Sequence, residues 1–140
     1  MAKFVLDNDF DYELLLIGIS SHARDYRVCW SLNSTMRLNL SRIDKGLKMP
    51  ASKNADPNEF TLFEYEDEET RIFYSLIANK NKNAYLIPEL KHADYLLMLR
   101  NNITIDIPNL LERVRSCDQV LTAFEIQTEE LKSRDNLIYF

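Results

Sequence analysis

The chain has 140 residues, of which 46% are hydrophobic and 11% aromatic, and it carries a net charge of −5 with a pI near 5.1. This length and composition predict one globular domain. The acidic balance argues against general binding of nucleic acid and against adhesion to an anionic membrane, because both need a basic surface.

Glycine and cysteine usage excludes further classes. The chain has only two glycines, Gly18 and Gly46, whereas a phosphate-binding loop needs several close together. We therefore expect no nucleotide and no other cofactor. Cys29 and Cys117 stand far apart without a CxxC pattern, which predicts two reduced thiols. With no signal-peptide pattern and no membrane span in the sequence, we expect a cytoplasmic protein.

The first elements in chain order are a strand and a helix. The apolar run Leu14–Ile19 predicts a buried strand, and Ser20 or Ser21 offers an N-cap for a helix over His22–Thr35. Its apolar stripe at helical spacing consists of Ala23, Tyr26, Cys29, Trp30 and Asn33, widened by Val28 and Leu32. The stripe predicts that Tyr26 and Trp30 belong to the core.

A basic, turn-rich segment follows, and then a hairpin. Leu38–Leu40 is predicted as a strand and 41–58 as a flexible basic loop within the domain. Phe60–Glu66 and Arg71–Ala78 are rich in aromatic and branched residues. They predict a hairpin with a charged turn at Asp67–Thr70.

The second half of the chain predicts a turn, three strands and a helix. The asparagine-rich 79–83 is predicted as a turn, because asparagine can bond its own backbone there. The other predicted elements are strands over Ala84–Ile87 and Val120–Ile126, a helix over Pro108–Cys117, and a tail, Lys132–Phe140, that docks on the body. Ala93–Arg100 alternates only weakly and fits a strand or a helix, of which the strand is favoured. Together these elements predict a single α+β domain over 1–140. Its sheet is mostly antiparallel, with two main helices on one face.

One segment carries a family resemblance. Ile87-Pro88-Glu89-Leu90-Lys91-His92-Ala93-Asp94-Tyr95 resembles the motif of the bacterial IPExxxVDY family, with Ala93 at the valine position. Other stretches of the chain also resemble sequences of this family: residues 16–20 and 25–30 near the start, and residues 131–133 and 136–138 near the end. The resemblance implies a cytosolic bacterial protein. It brings no activity with it, because the function of that family is unassigned.

The residues of this motif permit three interpretations. A single Glu-x-x-His, Glu89 and His92, falls short of the three or four ligands of a transition-metal site, so we expect no metal. The favoured interpretation is a structural corner, in which Pro88 opens a helical turn and Asp94 bonds a nearby backbone N–H. The alternative is a small pocket, with Glu89, His92, Asp94 and Tyr95 as candidate catalytic residues.

Arginines supply a second candidate surface. Arg24, Arg27 and Arg37 can contact an acidic partner or RNA, or they can pair with the acidic residues over 64–69 of the same chain.

The functional prediction is a protein-interaction or accessory module that is not an enzyme and acts as a homodimer or with a protein partner. Its predicted contact surface is an unpaired sheet edge over Phe60–Ala78. Two alternatives stay open: a small-molecule binder or enzyme using Glu89, His92 and Asp94, and RNA binding through the basic segment 24–53.

Overall fold

The computed structural model describes residues 14–44, 46–49, 58–81, 84–100 and 105–132. Its strands are β1 (Leu15–Ser20), β2 (Ser41–Arg42), β3 (Leu47–Met49), β4 (Asn58–Phe60), β5 (Leu62–Glu66), β6 (Phe73–Ala78), β7 (Tyr95–Arg100) and β8 (Thr122–Ile126). Its α-helices are α1 (Asp25–Met36) and α2 (Ile107–Arg115), and two short 3₁₀ turns lie at Pro88–Leu90 and Thr128–Glu130.

Six strands form one antiparallel sheet in the order β2-β5-β6-β7-β1-β8. β3 and β4 pair with each other as a separate two-stranded sheet. The α+β fold class and the antiparallel sheet are confirmed. So are the predicted strands that became β1, β7 and β8, and the predicted hairpin, which is β5 and β6.

Both helices pack on the same face of this sheet. Val28 on α1 and Val114 on α2 are fully buried in one apolar cluster with Ile17 on β1 and Leu97 on β7. The prediction that the two helices share one face is therefore confirmed. Within the described residues, neither helix is long and apolar enough to cross a membrane.

The opposite face of the sheet is also buried. Leu16, Leu96 and Met98 belong to a second cluster, which is covered by Phe60 of β4 and by Ile87. A strand with two buried faces reads as a continuous apolar run, not as an alternation. This explains the runs LLLIGI and YLLML, and why the pattern over 93–100 favours a strand only weakly.

Two predicted strands are wrong. Leu38–Leu40 has no strand because the Asn33 side chain bonds both backbone groups of Leu40, accepting from its N–H at 2.9 Å and donating to its carbonyl at 3.1 Å. Ala84–Ile87 forms only an isolated bridge between Tyr85 and Lys80. Asn79 takes the backbone N–H groups that a strand would have used there.

Three further expectations differ from the structure or lie beyond its described part. The predicted edge over Phe60–Ala78 is wrong, because β6 lies between β5 and β7, and β5 lies between β6 and β2, which pairs with it at Phe63 and Glu64. The loop predicted over 41–58 contains β2, β3 and the start of β4, and its residues 45 and 50–57 lie outside the described residues. Residues 133–140 of the predicted docking tail lie outside them as well.

Candidate functional site

The segment IPELKHADY is a turn built around a buried asparagine. Pro88 opens the 3₁₀ turn Pro88–Leu90, as predicted for a proline in the first turn. The Asn79 side chain is fully buried beneath this turn. Its amide donates to the carbonyls of Leu90 and Ala93, each at 2.9 Å, and its Oδ1 accepts from the Ile87 N–H at 2.8 Å. Asn79 therefore fixes the path of the whole segment.

Asp94 and Tyr95 join the start of β7 to the loop that precedes α1. Asp94 Oδ2 accepts from the backbone N–H of Ser21 at 2.8 Å, and the Tyr95 hydroxyl donates to the carbonyl of Ala23 at 2.6 Å. Burial, with smaller contributions from the charges of Asp25 and Asp94, raises the pKa of Tyr95 to about 12. Both side chains thus hold backbone groups, as the corner interpretation predicts for Asp94.

His92 faces a different element. Its exposed ring stacks on Phe124 of β8, with centroids 4.9 Å apart, and its carbonyl accepts a hydrogen bond from Ser20 Oγ at 2.6 Å. Glu89 lies exposed on the 3₁₀ turn. Within the described ranges, no group of three or more histidine, cysteine, aspartate or glutamate side chains is placed to hold a metal ion. The pocket alternative stays a prediction.

The predicted serine N-cap is wrong. α1 begins after Arg24, which makes no side-chain capping bond. Ser21 instead builds the turn before the helix: its hydroxyl accepts from the Ala23 N–H at 3.0 Å and donates to the carbonyl of Gln119. The same hydroxyl therefore ties this turn to the loop between α2 and β8.

Tyr26 and Trp30 are exposed, so their assignment to the core is wrong. Their exposed fractions are 61% and 67%. The buried face of α1 is formed by Val28, Cys29, Ser31, Leu32 and Met36. Cys29 lies on the boundary between this face and the predicted stripe. The sequence pattern was therefore compatible with burial of either helix face, and packing on the sheet determines which face is buried.

These two aromatic side chains line a cavity that the sequence pattern did not predict. Tyr26, Arg27, Trp30 and Gln119, which we call the aromatic groove, surround a volume of about 380 Å³. Leu121, two residues beyond Gln119, is 63% exposed. The largest exposed apolar side chains of the described part of the chain thus lie on α1 and on the segment that leads into β8.

The walls of the aromatic groove are held in place at several points. The Ser21 hydroxyl bonds the Gln119 carbonyl, and the Leu121 N–H bonds the Ser20 carbonyl at 2.9 Å. At its other end, α1 closes on Arg37 in the left-handed conformation, with its N–H directed to the Asn33 carbonyl. The segment 119–121 is therefore held against the turn before α1, and the C-terminal end of α1 is closed by Arg37.

The structure separates the three candidate arginines. Arg24 precedes α1, Arg27 lines the aromatic groove, and Arg37 ends the helix. At a rise of about 1.5 Å per residue, Arg37 lies roughly 15 Å from Arg27 along the axis. Of the three, Arg27 is the one that lines the groove.

Comparison with known proteins does not assign the chain to a family. No family model, no curated protein and no solved structure matches the chain. The resemblance to the IPExxxVDY family therefore stays a prediction, and the function must be argued from the residues themselves.

Proposed function

We propose that the chain is a protein-interaction domain that is not an enzyme, and that the aromatic groove is its contact surface. The observation that carries the proposal is the exposure of Tyr26 and Trp30 side by side on one helix, around a cavity. Tryptophan, tyrosine and arginine are the residues in which the binding energy of protein interfaces concentrates.

The physical reason is the cost of leaving such surface in water. Each buried aromatic side chain removes about 150–250 Å² from solvent, worth roughly 25 cal/mol per Å². Tyr26 and Trp30 contribute little of this hydrophobic free energy to the isolated domain, because most of their surface is exposed. A partner that covers them gains it on binding, at low entropic cost because α1 is already ordered.

A second copy of the chain and an unrelated protein are both partners that fit this proposal. Light scattering of the purified protein separates them, because a dimer doubles the mass. We place the protein in the cytoplasm as part of the same proposal. Free and buried Cys29 and Cys117 support this placement, since thiols persist in a reducing compartment.

Photo-crosslinking in living cells tests the contact surface directly. Benzoylphenylalanine replaces Gln119 in the groove, and in a matched control it replaces Glu112, which is exposed on α2. We expect a discrete crosslinked product from position 119 and none from position 112. Products of equal yield from both positions, or none from position 119, would contradict the proposal.

A further inference from the structure

We infer that the aromatic groove binds a protein segment that carries a carboxylate next to an apolar side chain, and that Arg27 selects the carboxylate. The inference rests on the proposed function and names the chemistry of the partner. It follows from how the groove combines two rings with one guanidinium group.

The apolar part of the groove selects a single large side chain. Tyr26 and Trp30 are four residues apart on α1, so their Cβ atoms lie roughly 5–6 Å from each other on one helix face. The volume of about 380 Å³ between them, Arg27 and Gln119 is at the small end of the roughly 300–1,000 Å³ of ligand pockets. It accommodates one aromatic or aliphatic anchor with its neighbours, as a linear segment presents it.

The charged part of the groove selects a carboxylate. The planar guanidinium of Arg27 presents paired donors that match a carboxylate geometrically. Arg24 is exposed one turn earlier, so two guanidinium groups stand at this end of α1, with the carboxylate of Asp25 between them in the sequence. The Asp25 side chain accepts a hydrogen bond from the Tyr26 N–H at 2.6 Å, so it is directed at the first turn of its own helix.

Gln119 and its neighbour give the groove a direction. Asp118 is exposed next to Gln119, on the loop side, whereas Arg27 lies on the helix side. A carboxylate of the partner is attracted to the helix side and repelled from the loop side. The bound segment therefore lies with its acidic residue toward α1.

Single-stranded RNA is the other ligand that aromatic rings and arginine can bind, by stacking. The phosphate backbone, however, needs several cations along its path. Arg24 and Arg27 supply two cations at this end of α1, and the chain as a whole has a net charge of −5. The charges therefore favour the acidic peptide segment, and RNA is an outcome that the experiment must distinguish.

The test is selection from a random dodecapeptide display library on the whole protein. The baits are the wild type, Trp30→Ala, Tyr26→Ala, Arg27→Gln and the matched control Arg42→Gln, which removes an exposed arginine on β2. We expect the wild type and Arg42→Gln to enrich peptides with Asp or Glu beside an aromatic or aliphatic residue. Trp30→Ala and Tyr26→Ala should lose these peptides, while Arg27→Gln should keep the apolar preference and lose the acidic one.

Affinities of one enriched peptide and of the RNA oligonucleotide U20 complete the test. Loss of a charge-assisted bond in Arg27→Gln should weaken peptide binding about tenfold or more. Groove-dependent peptides without an acidic preference would overturn the inference and leave the proposed function standing. Failure to enrich any peptide that depends on Trp30, or U20 binding that depends on Trp30, would overturn the inference outright. Photo-crosslinking at position 119 tests the proposed function independently of these peptide experiments.

Discussion

The ring of Phe124 on β8 lies directly over Gly18 on β1. A Cβ atom at Gly18 would stand 2.5 Å from Phe124 Cζ. The exposed ring of His92 stacks on the same Phe124 ring. Gly18 is paired with Phe124 across the strands. The glycine therefore leaves room for the Phe124 ring, and the histidine of the candidate motif packs on the same ring.

Gly18→Ala should destabilise the fold by about 1–3 kcal/mol, because the ring of Phe124 must move to admit the methyl group. Urea unfolding of Gly18→Ala, Phe124→Ala and the double variant measures this. The double variant should be more stable than the sum of the single effects predicts, since the clash needs both side chains. Additive effects would show that the clash is not the cause.

Asn79→Ala should destabilise the protein by about 3 kcal/mol or more. The change leaves the Ile87 N–H and the carbonyls of Leu90 and Ala93 without their partner, and a buried unpaired polar group costs about 1–3 kcal/mol. Thermal and urea unfolding measure the loss. Asn39→Ala, at an exposed asparagine, is the control and should change stability by less than about 0.5 kcal/mol. A similar small effect at Asn79 would refute the turn described here.

Asp94→Ala should cost about 1–2 kcal/mol because the Ser21 N–H loses its acceptor. Glu68→Ala in the exposed hairpin turn provides the control and should have little effect. If Asp94→Ala instead increases the stability of the protein, the carboxylate is retained at a cost. The pocket alternative with Glu89, His92 and Asp94 would then become the better interpretation of this segment.

The sequence predicted those elements whose residues carry the signal locally. The apolar run before Ser20 predicts β1, and the charged turn between two aromatic-rich segments predicts the hairpin. Strand order carries no such local signal, so the two strands of the predicted edge, β5 and β6, proved to lie inside the six-stranded sheet. Asn79 was missed for a related reason: a buried asparagine that bonds residues up to 14 positions away looks like a turn asparagine in the sequence.

Tyr95 predicts a dependence of stability on pH in the alkaline range. A tyrosine ordinarily ionises near pH 10, whereas burial keeps folded Tyr95 protonated up to about pH 12. A raised pKa means that the folded state binds the proton more tightly than the unfolded state. Its contribution is therefore complete below pH 10 and is lost as the pH rises from 10 to 12. Urea unfolding across this range should show a less steep loss for Tyr95→Phe than for the wild type, and equal slopes would contradict the assignment.

Ser75→Ala should leave stability unchanged or increase it by up to about 1 kcal/mol. The Ser75 hydroxyl is fully buried and has no hydrogen-bond partner among the described residues, so its removal relieves a desolvation cost. Ser31→Ala is the matched control: Ser31 is also buried, but its hydroxyl stabilises the ionised Cys117 thiol, which opposes the increase that burial causes in the pKa of that thiol. We expect Ser31→Ala to destabilise the protein, and the same loss at Ser75 would show that its hydroxyl does have a partner.

The aromatic groove is the central claim, and quantitative affinity capture tests it most directly. Wild type, Trp30→Ala and the control Glu112→Ala are used as baits in lysate of the source organism, after circular dichroism has confirmed that all three are folded. We expect the wild type and Glu112→Ala to retain the same proteins, and Trp30→Ala to lose them by tenfold or more. Retention of the same proteins by Trp30→Ala at the wild-type level would contradict the claim that this groove is the contact surface.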